Sequence, residues 1–202
     1  LITGAASGLG RLLAERMAAR GSALVLWDID EQGLNEVRAE LQGAGCDVQT
    51  CVCDLARRED IEAAAARTLA DGGPLDILVN NAGIVSGKNL LEITPAEIER
   101  TFQVNTLAIF WTAKAFLPGM LERNRGHIVT IASAAGLAGT SKLTDYCSSK
   151  FAAVGFDESL RVELKRMKSK VVTNVVCPLY TNTGMFDVVR TRCPWLLRML
   201  KR

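Results

Sequence analysis

Short apolar, β-branched stretches recur along this chain with longer stretches of helical periodicity between them, and that alternation limits the fold more than any other feature. Parallel strands need long crossovers, and a helical crossover packs back onto the sheet it came from. Residues 1–4 read as the last residues of a strand, and residues 8–20 place Leu9, Leu12, Leu13 and Met17 on one helical face. Residues 22–27 are apolar enough for a strand buried on both faces. A polar-faced helix over 31–41, a strand over 48–53 and an Ala-rich helix over 59–69 follow, the last stopped by Gly72-Gly73-Pro74. Residues 75–79 form the fourth expected strand. Thr94-Pro95-Ala96-Glu97 carries the signature of a capped helix start, with Thr94 as N-cap and Glu97 closing a capping box. A second helical stretch covers 104–121, its end disturbed by Pro118. A strand over 127–131, a long helix over 144–167 and a strand over 171–177, closed by Pro178, complete the pattern.

With no linker, repeat or low-complexity stretch, the expectation is an α/β fold over residues 1–202: a single Rossmann-type doubly wound parallel sheet with helices on both faces. Both ends read as cut. At 202 residues, 49% hydrophobic and 23% charged, the chain suits one globular domain. A net charge of +2 gives no nucleic-acid surface. The cysteines at 46, 51, 53, 147, 177 and 193 form no C-x-x-C pair and only His127 could join them, so no metal site is expected. Cys51 and Cys53 alternate within an apolar run and read as reduced packing residues, which suits a cytosol-facing compartment. No signal peptide or apolar run of about 20 residues is present, which leaves any anchor to residues outside these. His127, where the strand over 127–131 begins and opposite the sheet's carboxyl edge, is a poor acid–base candidate.

The loop Thr3-Gly4-Ala5-Ala6-Ser7-Gly8-Leu9-Gly10 joins the first strand to the first helix. Its glycines either form a simple tight turn or let the backbone approach a pyrophosphate at a helix N-terminus. Asp28, 18 residues after Gly10 at the end of the second strand, favours the second reading, because a carboxylate there accepts hydrogen bonds from an adenosine ribose. A 2′-phosphate would meet like charge at Asp28, and Ser7 supplies no cation, so NAD is expected over NADP. Asp30 falls past the strand and reads as a turn or cap residue. Tyr146 and Lys150 stand four apart on one helix face, a weak signal alone. Ser133 lies 13 residues upstream of Tyr146, at the end of the fifth strand, where doubly wound sheets bind ligands.

The glycine loop, Asp54-Leu55, Asn80-Asn81-Ala82-Gly83, Asn105, Ser133, Tyr146 with Lys150, and Pro178 with Thr183 occur together in the order in which they resemble the short-chain dehydrogenase/reductase family. Further pieces resemble the branch containing retinol dehydrogenase 10 and the 17-beta-hydroxysteroid dehydrogenases of lipid droplets and endoplasmic reticulum. They are Leu26-Trp27-Asp28-Ile29, Lys114-Ala115-Phe116-Leu117-Pro118, Gly126-His127-Ile128-Val129, Asp145-Tyr146-Cys147 and Thr183-Gly184-Met185-Phe186. The resemblance implies an alcohol dehydrogenase in which Tyr146, as phenolate, takes the hydroxyl proton while hydride passes to nicotinamide. Lys150 would favour the phenolate and hold the nicotinamide ribose, Ser133 would fix the substrate oxygen, and Asn105 would sustain a water-linked proton path to Lys150. A buried core amide is the alternative role for Asn105. The implied cofactor set is Gly4, Ser7, Gly8, Leu9 and Gly10; Asp28; Asp54 and Leu55; Asn81, Ala82 and Gly83; Tyr146 and Lys150; and Pro178, Thr181 and Thr183. Asn80 is assigned to stabilising the sheet.

Pro178-Leu179 departs from the usual proline–glycine pair and should alter the backbone beside the nicotinamide. Residues 179–202 fall in the family's substrate-capping loop. Within them, 185–202 interleave Phe186, Trp195 and Leu196 with Arg190, Arg198 and Lys201, suiting a lid helix, a cover for a lipophilic substrate or an anionic membrane surface. The resemblance further implies a homodimer through helices 104–121 and 144–167, a retinoid, steroid or other lipid alcohol as substrate, and association with a lipid-droplet or endoplasmic-reticulum surface. The competing functions are an NADP(H)-preferring carbonyl reductase and a non-catalytic nucleotide-binding scaffold.

Overall fold

A computed structural model describes residues 1–179, so Thr181, Thr183, Cys193 and the segment 185–202 lie outside the described residues. In chain order the elements are β1 (Ile2–Thr3), α1 (Gly8–Ala18), β2 (Leu24–Asp28), α2 (Glu31–Gly43), β3 (Val48–Val52), α3 (Arg58–Gly72), β4 (Ile77–Asn80), α4 (Pro95–Phe102), α5 (Ala108–Glu122), β5 (His127–Ile131), α6 (Thr144–Arg166) and β6 (Val172–Val176). The six strands form one parallel sheet in the order β3-β2-β1-β4-β5-β6. The order reverses between β1 and β4, and the carboxyl ends there open into the crevice where doubly wound sheets hold ligands.

Each strand splits its side chains between two cores because successive residues face opposite sides. Leu24 and Leu26 of β2 pack with Ile2, Leu34 and Val37 under α1 and α2. Trp27 points the other way, to Ile61 of α3, Phe116 and Met120 of α5, and Leu160 of α6. Its ring lies 5.8 Å from that of Phe116, and its indole N–H donates to Thr68 Oγ1 at 3.2 Å. The expected strand and helix boundaries shift by one to a few residues, and all six strands are present.

One expectation changes. The helix expected over 104–121 does not run evenly: a π-helical turn spans Gln103–Leu107 before α5 begins. Such a turn inserts an extra residue and re-aims the side chains on it, here turning Asn105 towards the loop after β4. Pro118 lies inside α5, which continues to Glu122 against the expected 121, with Phe116 and Met120 buried on either side of the proline. The Thr94 capping box forms as expected, with Glu97 N–H donating to Thr94 Oγ1 at 3.3 Å and Thr94 N–H donating back to Glu97 Oε2 at 3.0 Å.

Candidate active-site cleft

A cleft of about 520 Å³ opens along the carboxyl ends of the strands, within the size range of small-molecule sites. Its first wall is the turn from β1 to α1. Gly4 and Gly8 have φ of +65° and +53°, a region in which a side chain is strained. A Cβ on Gly4 would stand 2.8 Å from Ala82 Cα, so the turn is pressed against the loop after β4. Ser7 caps α1 with extended backbone, its side chain makes no capping hydrogen bond, and the first turn carries no acid. The positive end of α1 is therefore left for whatever lies in the cleft. Gly10 does not line the cleft: a Cβ there would stand 2.0 Å from Gly4 O, which makes it a packing glycine.

Asp28 sits at the end of β2, its Oδ2 accepting from Ala6 N–H at 2.9 Å and its Oδ1 from Asp30 N–H at 3.1 Å. Both bonds fix the carboxylate at the cleft rim and leave it further lone pairs. Asp30 caps α2 by accepting from Gly33 N–H at 3.1 Å, the cap role expected of it. Asp54 accepts from Ala56 N–H at 3.0 Å and stands 3.5 Å from Arg100 Nη1. Arg100 reaches the cleft from α4, a lining residue that the motifs do not single out. Cys53, Ile84, Val85 and Val104 line it as well, each one or two residues from a motif, and so does Ile29, which follows Asp28.

Thr3 pegs the two sides of the cleft floor together. Its Oγ1 accepts from the N–H groups of Asn81 at 3.0 Å and Ala82 at 3.1 Å. Asn81 answers by donating its amide to the carbonyls of Thr3 at 2.9 Å and Gly4 at 3.2 Å. The side chain of Asn81 thus holds the glycine turn in shape. Asn80 accepts from Thr112 Oγ1 at 2.8 Å and ties β4 to α5, matching the sheet role assigned to it.

The second wall comes from β5 and α6. Ser133 follows β5 and caps a short 3-10 turn, accepting from Ala135 N–H at 3.1 Å, and it hydrogen-bonds Tyr146. Tyr146 and Lys150 share the cleft face of α6, and Lys150 Nζ lies 5.7 Å from the centroid of the tyrosine ring. Lys150 donates to Ile131 O at 2.8 Å. A Cβ on Gly83 would stand 3.3 Å from Lys150 Nζ, so the ammonium is crowded from the β4 side also. Asn105 is buried behind the cleft and does not line it. Its Oδ1 accepts from Ile84 N–H at 2.8 Å, and its amide donates to Ile84 O at 2.9 Å and Ser149 Oγ at 3.0 Å. The three bonds tie the loop after β4 to α6 through one amide.

Burial shapes the electrostatics of Tyr146 and Lys150. The pairing should favour the phenolate, yet burial pushes Tyr146 up from the ordinary phenol value, and the hydrogen bond from Ser133 opposes that rise without cancelling it. Lys150 is itself brought down to about 8 by burial, so it is a weakened cation. Its folded value lies below the ordinary 10.5, and between the two the unfolded chain binds more protons. The stability contributed by this group therefore rises with pH across that window and is least below about pH 8. The shift corresponds to about 3 kcal/mol. Urea unfolding of wild type and Lys150→Met should show their stability difference changing by about 2–3 kcal/mol between pH 7.5 and 10.5; a constant difference refutes this account of Lys150.

Residues 1–193 match the family model for short chain dehydrogenase. The chain belongs to the short-chain dehydrogenase family. Bovine short-chain dehydrogenase/reductase family 16C member 6 is 50% identical over 202 residues, covering 99% of this chain and 64% of that protein. Human epidermal retinol dehydrogenase 2 is 47% identical over 203 residues (100% of this chain, 66% of that protein), and human estradiol 17-beta-dehydrogenase 11 is 51% identical over 185 residues (91% and 62%). The chain thus spans just under two thirds of the length of these curated relatives, which include the branch that the quoted pieces resemble. A family structure from Burkholderia phymatum in complex with NAD superposes with a TM-score of 0.89 at 35% identity, covering 95% of this chain and 68% of that one. A metagenomic member in complex with NADP gives 0.83 at 34% identity, covering 88% and 80%.

Proposed function

We propose that this protein is an NAD-dependent oxidoreductase acting on a lipophilic alcohol or its carbonyl product, with Tyr146 as the acid–base residue. The observation that carries the reading is the convergence of Ser133, Tyr146 and Lys150 on one cleft with a bare-backbone glycine turn and a helix end without a side-chain capping bond. The residues present fit a dinucleotide. Gly4 and Gly8 leave room for a pyrophosphate, the free N-terminus of α1 complements its charge, and Asp28 offers carboxylate lone pairs to a ribose. Asp54 and Leu55 wall the far end, and Pro178 with Leu179 closes the near one. When bound, the oxidised dinucleotide supplies a hydride acceptor on a positively charged ring.

Within the chain, Ser133 holds the substrate oxygen and Tyr146 takes the hydroxyl proton as the carbon loses hydride. Lys150, gripped by Ile131 O, places positive charge beside the phenol. The lining from Ile84, Val85, Ala132 and Leu179 is apolar and suits a lipid-type alcohol, in keeping with relatives named for retinol and estradiol. Turnover of NAD with all-trans-retinol is the direct test, and no activity with retinol, steroid or long-chain alcohols would end the proposal. Because a 2′-phosphate would face Asp28, KM for NADP should exceed that for NAD by about tenfold or more, and Asp28→Ser should narrow the gap. A wild-type preference for NADP would favour the carbonyl reductase reading. Bound nucleotide without turnover would favour a scaffold.

We infer a homodimer through α5 and α6, where Phe110, Phe151 and Val162 stand exposed; a single-chain mass in solution would contradict it. Among the described residues no helix is long and apolar enough to cross a membrane. The interleaved basic and apolar residues of 185–202 support contact with an anionic lipid surface, at endoplasmic reticulum or lipid droplet.

A further inference from the structure

The loop after β4 forms the cleft wall opposite Ser133, and residues 81–87 belong to no helix or strand. Side chains must therefore hold it. Asn105 grips Ile84 at both backbone atoms. Two residues on, Ser86 Oγ donates to Asp145 Oδ1 at 3.0 Å, and the other carboxylate oxygen, Oδ2, accepts from Thr101 Oγ1 of α4 at 3.0 Å. Asp145 is only 4% exposed and immediately precedes Tyr146 in the first turn of α6. Val85, between the two anchored residues, packs with Tyr146 and Leu143.

A desolvated carboxylate is a poor packing group, since hydroxyl donors restore only part of what water gave it. An apolar side chain would fill the same space. What the carboxylate adds is direction: two oxygens in one plane fix the spacing of Ser86 and Thr101, and so of the wall and α4, relative to the helix that carries Tyr146. We propose that Asp145 is a positioning residue whose carboxylate, through Ser86, sets how the wall carrying Val85 stands against α6 and thereby shapes the side of the cleft that takes the apolar alcohol. This rests on the function proposed above, and it assigns Asp145 no contact with substrate or cofactor.

The substrate arm compares steady-state kinetics of wild type, Ser86→Ala and Asp145→Asn with all-trans-retinol and NAD. Ser86→Ala should raise KM for retinol about tenfold, the scale of one changed apolar contact in a pocket. Its kcat and its KM for NAD should stay within about twofold, as expected when only substrate binding is loosened. Asp145→Asn should shift KM for retinol in the same direction. A merely structural role would lower thermal stability and move both KM values together, or neither, and either pattern overturns the proposal. The second arm needs no turnover. Amide exchange at 84–87 should quicken in Asp145→Asn while that of β1 and β5 is unchanged, and unchanged exchange at 84–87 overturns the proposal as well. If wild type oxidises no lipid alcohol, the proposed function fails, and the exchange arm still decides whether Asp145 sets the wall.

Discussion

Replacing Tyr146 by phenylalanine is expected to lower kcat/KM for alcohol oxidation by about 10²–10⁴-fold, the range of a lost proton-transfer group, with little change in the affinity for NAD. The substitution removes one oxygen from a buried ring that keeps its packing against Val85, Leu143 and Ala135. Ser133 retains its other hydrogen bond, from Ala135 N–H. The pH dependence gives the sharper test. In the proposed mechanism oxidation needs the deprotonated phenol, and burial holds Tyr146 above its ordinary value, so kcat/KM for oxidation should still be climbing on the alkaline side of neutrality. Protonation on lowering the pH removes the base, and the rate falls with it. In Tyr146→Phe that rise should vanish, leaving a flat residual rate. A variant that keeps both the rate and the alkaline rise would show that another group moves the proton.

Gly10→Ala should destabilise the protein by about 3 kcal/mol or more, at the upper end of overpacked sites, and abolish NAD binding. The new methyl would stand 2.0 Å from Gly4 O and 2.6 Å from Asn81 Nδ2. Neither neighbour has room to yield. Asn81 already donates to Thr3 O and Gly4 O, and Gly4 sits against Ala82. Relief therefore means moving the whole turn away from the loop after β4, and the cleft floor goes with it. For a chain of this length the melting temperature should fall by roughly 6–12 °C, and added NAD should no longer raise it. Gly43→Ala is the matched control, because its Cβ would meet nothing within 4 Å; it should leave both the melting temperature and the NAD-induced shift close to wild type. Equal behaviour of the two variants would remove Gly10 from the architecture of the site.

The fold was legible because its signals are local. A strand buried on both faces shows as an unbroken apolar run, as in 24–27, and a helix start shows as Thr94-Pro95-Ala96-Glu97, whose capping box needs only residues three apart. The helix over 104–121 misled because a π-helical turn leaves no mark in apolar spacing. Its end was legible despite Pro118, because a proline near a helix end is tolerated when core contacts on both sides hold the turn. Of the cleft, the glycine turn, Asp28, Ser133, Tyr146 and Lys150 were all legible, and they line it together. Arg100 was not, since its place opposite Asp54 depends on how α4 lies across the cleft.

The sequence by itself determined the doubly wound topology, the backbone freedom needed at Gly4 and Gly8, and the one helix face shared by Tyr146 and Lys150. Periodicity and φ preference act within a turn or two of chain, so they can be read without knowing neighbours. Only the tertiary structure decided that Asn81 spends its amide on residues 77 and 78 positions away, that Asn105 stands behind the cleft, and that Asp145 reaches back 59 positions to Ser86. It also decided that burial lifts Tyr146 and depresses Lys150. Hydrogen-bond partners and desolvation are set by what packs against a group. In a parallel sheet, that neighbour arrives through crossovers tens of residues long.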